Sequence, residues 1–201
     1  MRRLLTGLAA TVAAGALALA PQTALADASK PGQSMTHIKT VPGIAPALES
    51  AGVILYSKGA ATSGVIGTSP GSPDGQVVFH VPITSSKGNV KHAGSTLALF
   101  NTTNDQQVEL RNPVIDLKAG VVRAAVGTGA VATVFTITNA KSLKPTVKKE
   151  NGIRTTTYTG ARLALAPGVA GLLVTALGLP SGAIADGAAF AIADVTLQSA
   201  R

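Results

Sequence analysis

The chain has 201 residues, 17 Lys and Arg against 9 Asp and Glu, a formal net charge of +8, and neither cysteine nor tryptophan. The absence of cysteine excludes disulfide staples, thiolate catalysis, Cys-ligated zinc and iron–sulfur chemistry. With only four Phe and two Tyr, the chain also lacks the stacking platforms that bind sugars and single-stranded nucleic acid, so neither is expected as a partner.

Residues 1–26 read as a secretory signal peptide: Arg2 and Arg3, an apolar run from Leu4 to Ala20, a break at Pro21, and Ala24-Leu25-Ala26 before Asp27. The run is too short and too rich in alanine to span a bilayer securely, and the Arg pair lacks the polar lead-in of a twin-arginine signal. The expected location is outside the cytoplasm, secreted or associated with the cell envelope. Loss of Arg2 and Arg3 with the leader lowers the net charge to +6. A later apolar stretch, Leu163 to Leu179, is interrupted by Pro167, Gly168, Gly171 and Gly178 and reads as a buried element, so no membrane span is expected after the leader.

Residues 27–43 are polar and broken by Pro31, Gly32, Pro42 and Gly43, which predicts a flexible lead-in before a single β-rich domain over 44–201. Ala47 to Gly52 suggests a helical turn, and Val53-Ile54-Leu55-Tyr56 a first strand. Pro73-Asp74-Gly75 is a turn, with positive φ expected at the glycine. Beyond it the apolar period becomes two: Val77, Phe79 and Val81 share a face, with Val78 and His80 on the other. Pro82 ends that strand or places it at an edge.

Further strands are expected over Val90 to Phe100, around Val108 and Leu110, at Ile115 and Leu117, and over Val121 to Val126. A long alternating run puts Val131, Thr133, Phe135 and Ile137 on one face. Asn151-Gly152 is the strongest hairpin signal, because a type I′ turn needs positive φ at both central residues. It joins residues 145–150 to 153–159. Ala166-Pro167 opens a helix whose Val169, Leu172, Leu173 and Ala176 fall at helical spacing, with Gly178 as its C-cap. Phe190, Ile192 and Val195 belong to a last strand. The pattern predicts a mostly β fold, an antiparallel β-sandwich or open barrel with one short helix in the C-terminal half.

No paired carboxylates and no metal-spaced histidines accompany His37, His80 or His92, so no enzymatic activity is expected. Asp116 and Asp194 read as turn or edge residues. His80 and His92, on consecutive strands, are candidates to converge on a metal or haem iron. The two tyrosines, Tyr56 and Tyr158, are candidate haem ligands, because a phenolate can hold ferric haem while its ring packs on an apolar wall. Asn101-Thr102-Thr103 matches an N-glycosylation pattern, to be discounted in a bacterial host.

The segments Val90-Lys91-His92-Ala93-Gly94-Ser95-Thr96-Leu97 and Leu110-Arg111-Asn112-Pro113-Val114-Ile115-Asp116-Leu117 resemble HtaA-type domains of exported actinobacterial haem-acquisition proteins. The resemblance implies a non-enzymatic, β-rich surface domain that binds haem through a tyrosine with a histidine nearby. Tyr56 would be the ligand and His92 the matching histidine. A separate expectation comes from charge: Lys141, Lys144, Lys148, Lys149 and Arg154 concentrate basic residues around the predicted hairpin. Such a patch suits an anionic envelope polymer, lipid or protein.

Overall fold

The computed structural model describes residues 33–200; the leader expected over 1–26 and the start of the lead-in lie outside the described residues. In chain order the elements are β1 (Met35–Thr40), α1 (Ile44–Ser50), β2 (Val53–Gly59), β3 (Thr62–Ile66), β4 (Gln76–Pro82), β5 (Val90–Lys91), β6 (Ser95–Asn101) and β7 (Gln106–Asp116). They continue with β8 (Val121–Val126), β9 (Val131–Ile137), β10 (Thr146–Glu150), β11 (Ile153–Leu165), α2 (Val169–Leu177) and β12 (Ala189–Ala200). All pairings are antiparallel, and ten strands follow one path, β2-β6-β7-β8-β9-β11-β12-β1-β4-β3. The turn at Ala60 and Ala61 joins the two ends of that path, so the sheet is a nearly closed barrel with β10 and β5 added outside the ring.

Period-two alternation sorts each strand into an inner and an outer face. Val77, Phe79 and Val81 of β4 are buried, as their spacing predicts. Leu97, Leu99, Val108, Leu110, Ile115, Val122, Ala124, Leu163 and Leu165 extend the same core around the ring. Bulges reset the alternation where the wall must bend. One lies at Asn112 of β7, whose φ is 51°, and another in β9 at Val134, opposite the Val122–Arg123 step. The second corrects the expected face of β9. Phe135 and Ile137 are buried, but Val131 is 65% exposed, because the extra residue turns the first half of the strand over.

The lead-in is also corrected. Its residues 35–40 form β1, hydrogen-bonded between β12 and β4, with Thr36 and Thr40 fully buried. The polar composition that suggests an arm instead alternates: Thr36, Ile38 and Thr40 face inward while His37 and Lys39 face out. Gly75 does close a turn, but its φ is not positive; a Cβ there would lie 2.1 Å from the Ser69 carbonyl oxygen. The Asn151-Gly152 hairpin forms with φ of 48° and 74°, as a type I′ turn demands.

Both helices sit at one end of the barrel. α1 follows β1, and α2 follows β11; the C-terminal end of α2 is pinned by Asn101 and Asn104, whose side-chain amides donate to the Leu177 carbonyl at 2.7 and 3.0 Å. Asn101 is 1% exposed and fully committed, which removes it from the reach of a glycosylating enzyme. The inward face of α2 is Val169, Ala170, Leu173 and Leu177, one step round from the expected stripe, and Leu172 is 60% exposed. At its N-terminus Asp186 accepts the N–H groups of Gly168 and Ala170 at 2.6 and 2.9 Å, satisfying two orphan donors.

Candidate functional site

The barrel interior is filled. Its free volume is about 40 Å³, walled by aliphatic and Phe side chains with His92 among them. Sites for drug-sized molecules occupy roughly 300–1,000 Å³. His92 is 2% exposed and is used from both sides: Nδ1 lies 2.9 Å from the Pro113 carbonyl and Nε2 2.8 Å from the Thr36 hydroxyl. A carbonyl can only accept, so Nδ1 carries the hydrogen and Nε2 accepts from Thr36. Pro113 is on β7 and Thr36 on β1, strands five places apart in the ten-strand path. One imidazole therefore ties opposite walls together and closes the end away from the helices. Burial pushes its pKa down, opposed in part by the Pro113 carbonyl.

Tyr56 lies on the outer face of β2. Its hydroxyl donates to Gln107 Oε1, and Lys58 Nζ sits 5.5 Å from its ring centre while also meeting Glu109 at 2.6 Å. His80 is on the outer face of β4, and Tyr158 lines a groove with Leu143, Pro145 and Leu197. No hydrogen bond or ring contact joins any two of Tyr56, His80, His92 and Tyr158. The ring partner of His80 is instead His37, which the sequence places in the lead-in.

The basic residues are brought together. Beyond the barrel wall, the first half of β11 pairs with β10 on one side and the end of β12 on the other, making a three-stranded ribbon. Every residue of β10 is exposed. Lys149 and Arg154 are directly opposite each other, a like-charge pair that costs a few tenths of a kcal/mol or more unless an anion sits between them. Neither is in an ion pair; among the described residues the two ion pairs are Lys58–Glu109 and Arg123–Asp116. Lys141 and Lys144 lie in the segment leading into β10.

The ribbon belongs to a wider pattern. The connections at the helix end, residues 41–52, 67–75, 102–105, 127–130 and 166–188, contain Glu49, Asp74, Asp105 and Asp186 and no Lys or Arg. The segments at the opposite end, residues 83–94, 117–120 and 138–152, contain Lys87, Lys91, Lys118, Lys141, Lys144, Lys148 and Lys149 against Glu150 alone. All of these charged side chains except Asp186's backbone-bonded carboxylate and the turn-bonded Asp74 are free of strong local partners, and all are exposed. The molecule is acidic at one end and basic at the other.

Sequence patterning could not reveal this segregation, because the lysines come from three separate connections. Only the up-and-down order of the strands gathers them. No helix among the described residues is long and apolar enough to cross a membrane. Comparison with family models, with curated proteins and with solved structures finds no match for this chain.

Proposed function

We propose that this chain is an exported, non-enzymatic binding module of the bacterial cell envelope that docks on an anionic envelope polymer with its basic end. The observation that carries the reading is the segregation of charge, sharpened by Lys149 facing Arg154 on a projecting ribbon with no acid between them. Clustered cations of one sign raise the local concentration of a polyanion and speed its capture. An extended ribbon with exposed residues on both faces offers such a polymer a long track, and open grooves of about 500 and 430 Å³, both lined in part by Lys118, lie at the same end.

The test is binding to a soluble poly(glycerol phosphate) chain at low and high salt. Saturable binding that weakens as salt rises, and weakens again in a Lys148→Ala/Lys149→Ala variant, supports the reading. Binding indifferent to salt or to these lysines, or none at low salt, overturns it. Haem capture, the other expectation, finds less support: Tyr56 is engaged by Gln107 and Lys58 on the outer wall, and both nitrogens of His92 are occupied. A haem titration separates the two readings, since haem capture requires a Soret band that Tyr56→Ala removes.

A further inference from the structure

The two histidines that the polymer reading leaves unused stand side by side. His37 on β1 is paired with His80 on β4, and their rings meet edge to face with centroids 4.7 Å apart and planes at 78°. The register determines what kind of pair this is. Ile83 N–H donates to the Ser34 carbonyl, so the 34/83 pair is hydrogen-bonded, and every second pair along the two strands alternates with it. His37 and His80 therefore form a non-hydrogen-bonded pair, the type whose Cα atoms are only about 4.5 Å apart and whose side chains run closest together.

We propose that His37 and His80 form a chelating site for a borderline divalent transition ion of the Cu(II), Ni(II) or Zn(II) class, bound through one imidazole nitrogen from each strand with water completing the coordination. Imidazole is a preferred ligand for these ions, with metal–nitrogen bonds of about 2.0–2.1 Å. Two such bonds at adjacent coordination positions need nitrogens about 3 Å apart, which adjacent rings reach by rotation about χ2. Both histidines are on the outer wall, His37 exposed and His80 partly so, which gives the rings that freedom and leaves the ion open to solvent. Rigid strands hold the two Cα positions, so little ordering is required on binding.

Charges of both signs surround the pair, with Lys39 two residues along the outer face of β1 and a carboxylate across from His37. The same cross-strand row runs Thr62, His80, His37, Asp194 over β3, β4, β1 and β12. Asp194 places a carboxylate next in line after His37, with Oδ1 accepting the Gly160 N–H at 2.7 Å. Among the described residues no group of three or more His, Cys, Asp or Glu side chains is arranged to hold a metal, so the site offers two protein ligands. Partial burial and the neighbouring His37 lower the pKa of His80, which keeps its ring neutral and able to donate a lone pair near pH 7.

The experiment is a Cu(II) titration of the purified protein followed by calorimetry and electron paramagnetic resonance. The expected result is one ion per chain with two coupled imidazole nitrogens; His37→Gln and His80→Gln each weaken binding by at least about tenfold and reduce the coupling to one nitrogen, as loss of one arm of a bidentate site requires. Two weak ions per chain, each with one nitrogen, overturn the proposal, as does a spectrum unchanged by either substitution. Zn(II) followed by proton NMR tests the unaltered protein: the His37 and His80 ring signals move together at one equivalent while those of His92 stay fixed. Independent movement of the two rings also overturns it.

Discussion

The two ends of this barrel are closed by opposite means. At the helix end the plug is apolar: α2 inserts Leu173 and Leu177, which are 4% and 0% exposed, and the rim around it is acidic. At the other end the plug is a single polar ring, His92, bonded to β1 and β7, and the rim is basic. Apolar closure tolerates change of pH and salt, because it rests on area removed from water. Closure by an imidazole depends on its protonation state. The end proposed to meet a polyanion is thus also the end whose structure responds to solution conditions.

The largest expected effect tests the apolar plug. Leu177→Ala leaves a cavity under α2 and costs about 2–5 kcal/mol, read as a lower midpoint in urea. A loss within error would mean that α2 is not part of the barrel's closure. At the opposite end, Lys148→Ala/Lys149→Ala leaves stability nearly unchanged but weakens polyanion binding by about 2 kcal/mol, roughly 30-fold, at about 1 kcal/mol per surface cation. Glu49→Lys at the acidic rim serves as the control. If it alters affinity as much as the lysine pair does, the contrast between the ends has no functional meaning.

The polar plug makes its own prediction. An unfolded histidine titrates near 6.5, and burial holds His92 below that value when folded. Between the two values the unfolded chain binds the proton and the folded chain does not. The contribution of neutral His92 is therefore complete above about pH 6.5 and is lost as pH falls toward the folded pKa. Denaturation series across pH 4.5–7.5 should show that slope, reduced in a His92→Gln variant. The smallest effect belongs to the acidic rim: Asp186→Ala frees the Gly168 and Ala170 N–H groups at the start of α2 and lowers the thermal midpoint slightly.

Much of the architecture was legible wherever a local rule operates alone. Val77, Phe79 and Val81 announce their face by spacing, and Asn151-Gly152 announces its turn by the φ angles only such residues accept easily. Misreadings arise where a long-range partner decides. The composition of residues 35–40 looks like an arm because their strand partners, β12 and β4, are distant in sequence. Val131 reads as core because a bulge at Val134 is a response to the curvature of the wall, which has no local signature. The basic hairpin was visible as a run, but Lys87, Lys91 and Lys118 join it only through topology. His37 reads as a lead-in residue for the same reason, since its partner His80 on β4 is distant in sequence.

β11 runs for thirteen residues through two environments, in the ribbon up to Tyr158 and in the barrel wall from Ala161. A bulge between those positions marks the crossing without interrupting the chain. A tug on a polymer held by the ribbon would pass straight along this one strand into the middle of the wall. There it meets the ladders to β12 and β9 side by side, loaded in shear so that many hydrogen bonds resist at once rather than peeling one after another. The same strand that presents the ribbon is thus its tether, and mechanical pulling through Arg154 should meet more resistance than pulling through the short β3 at the rim of the sheet.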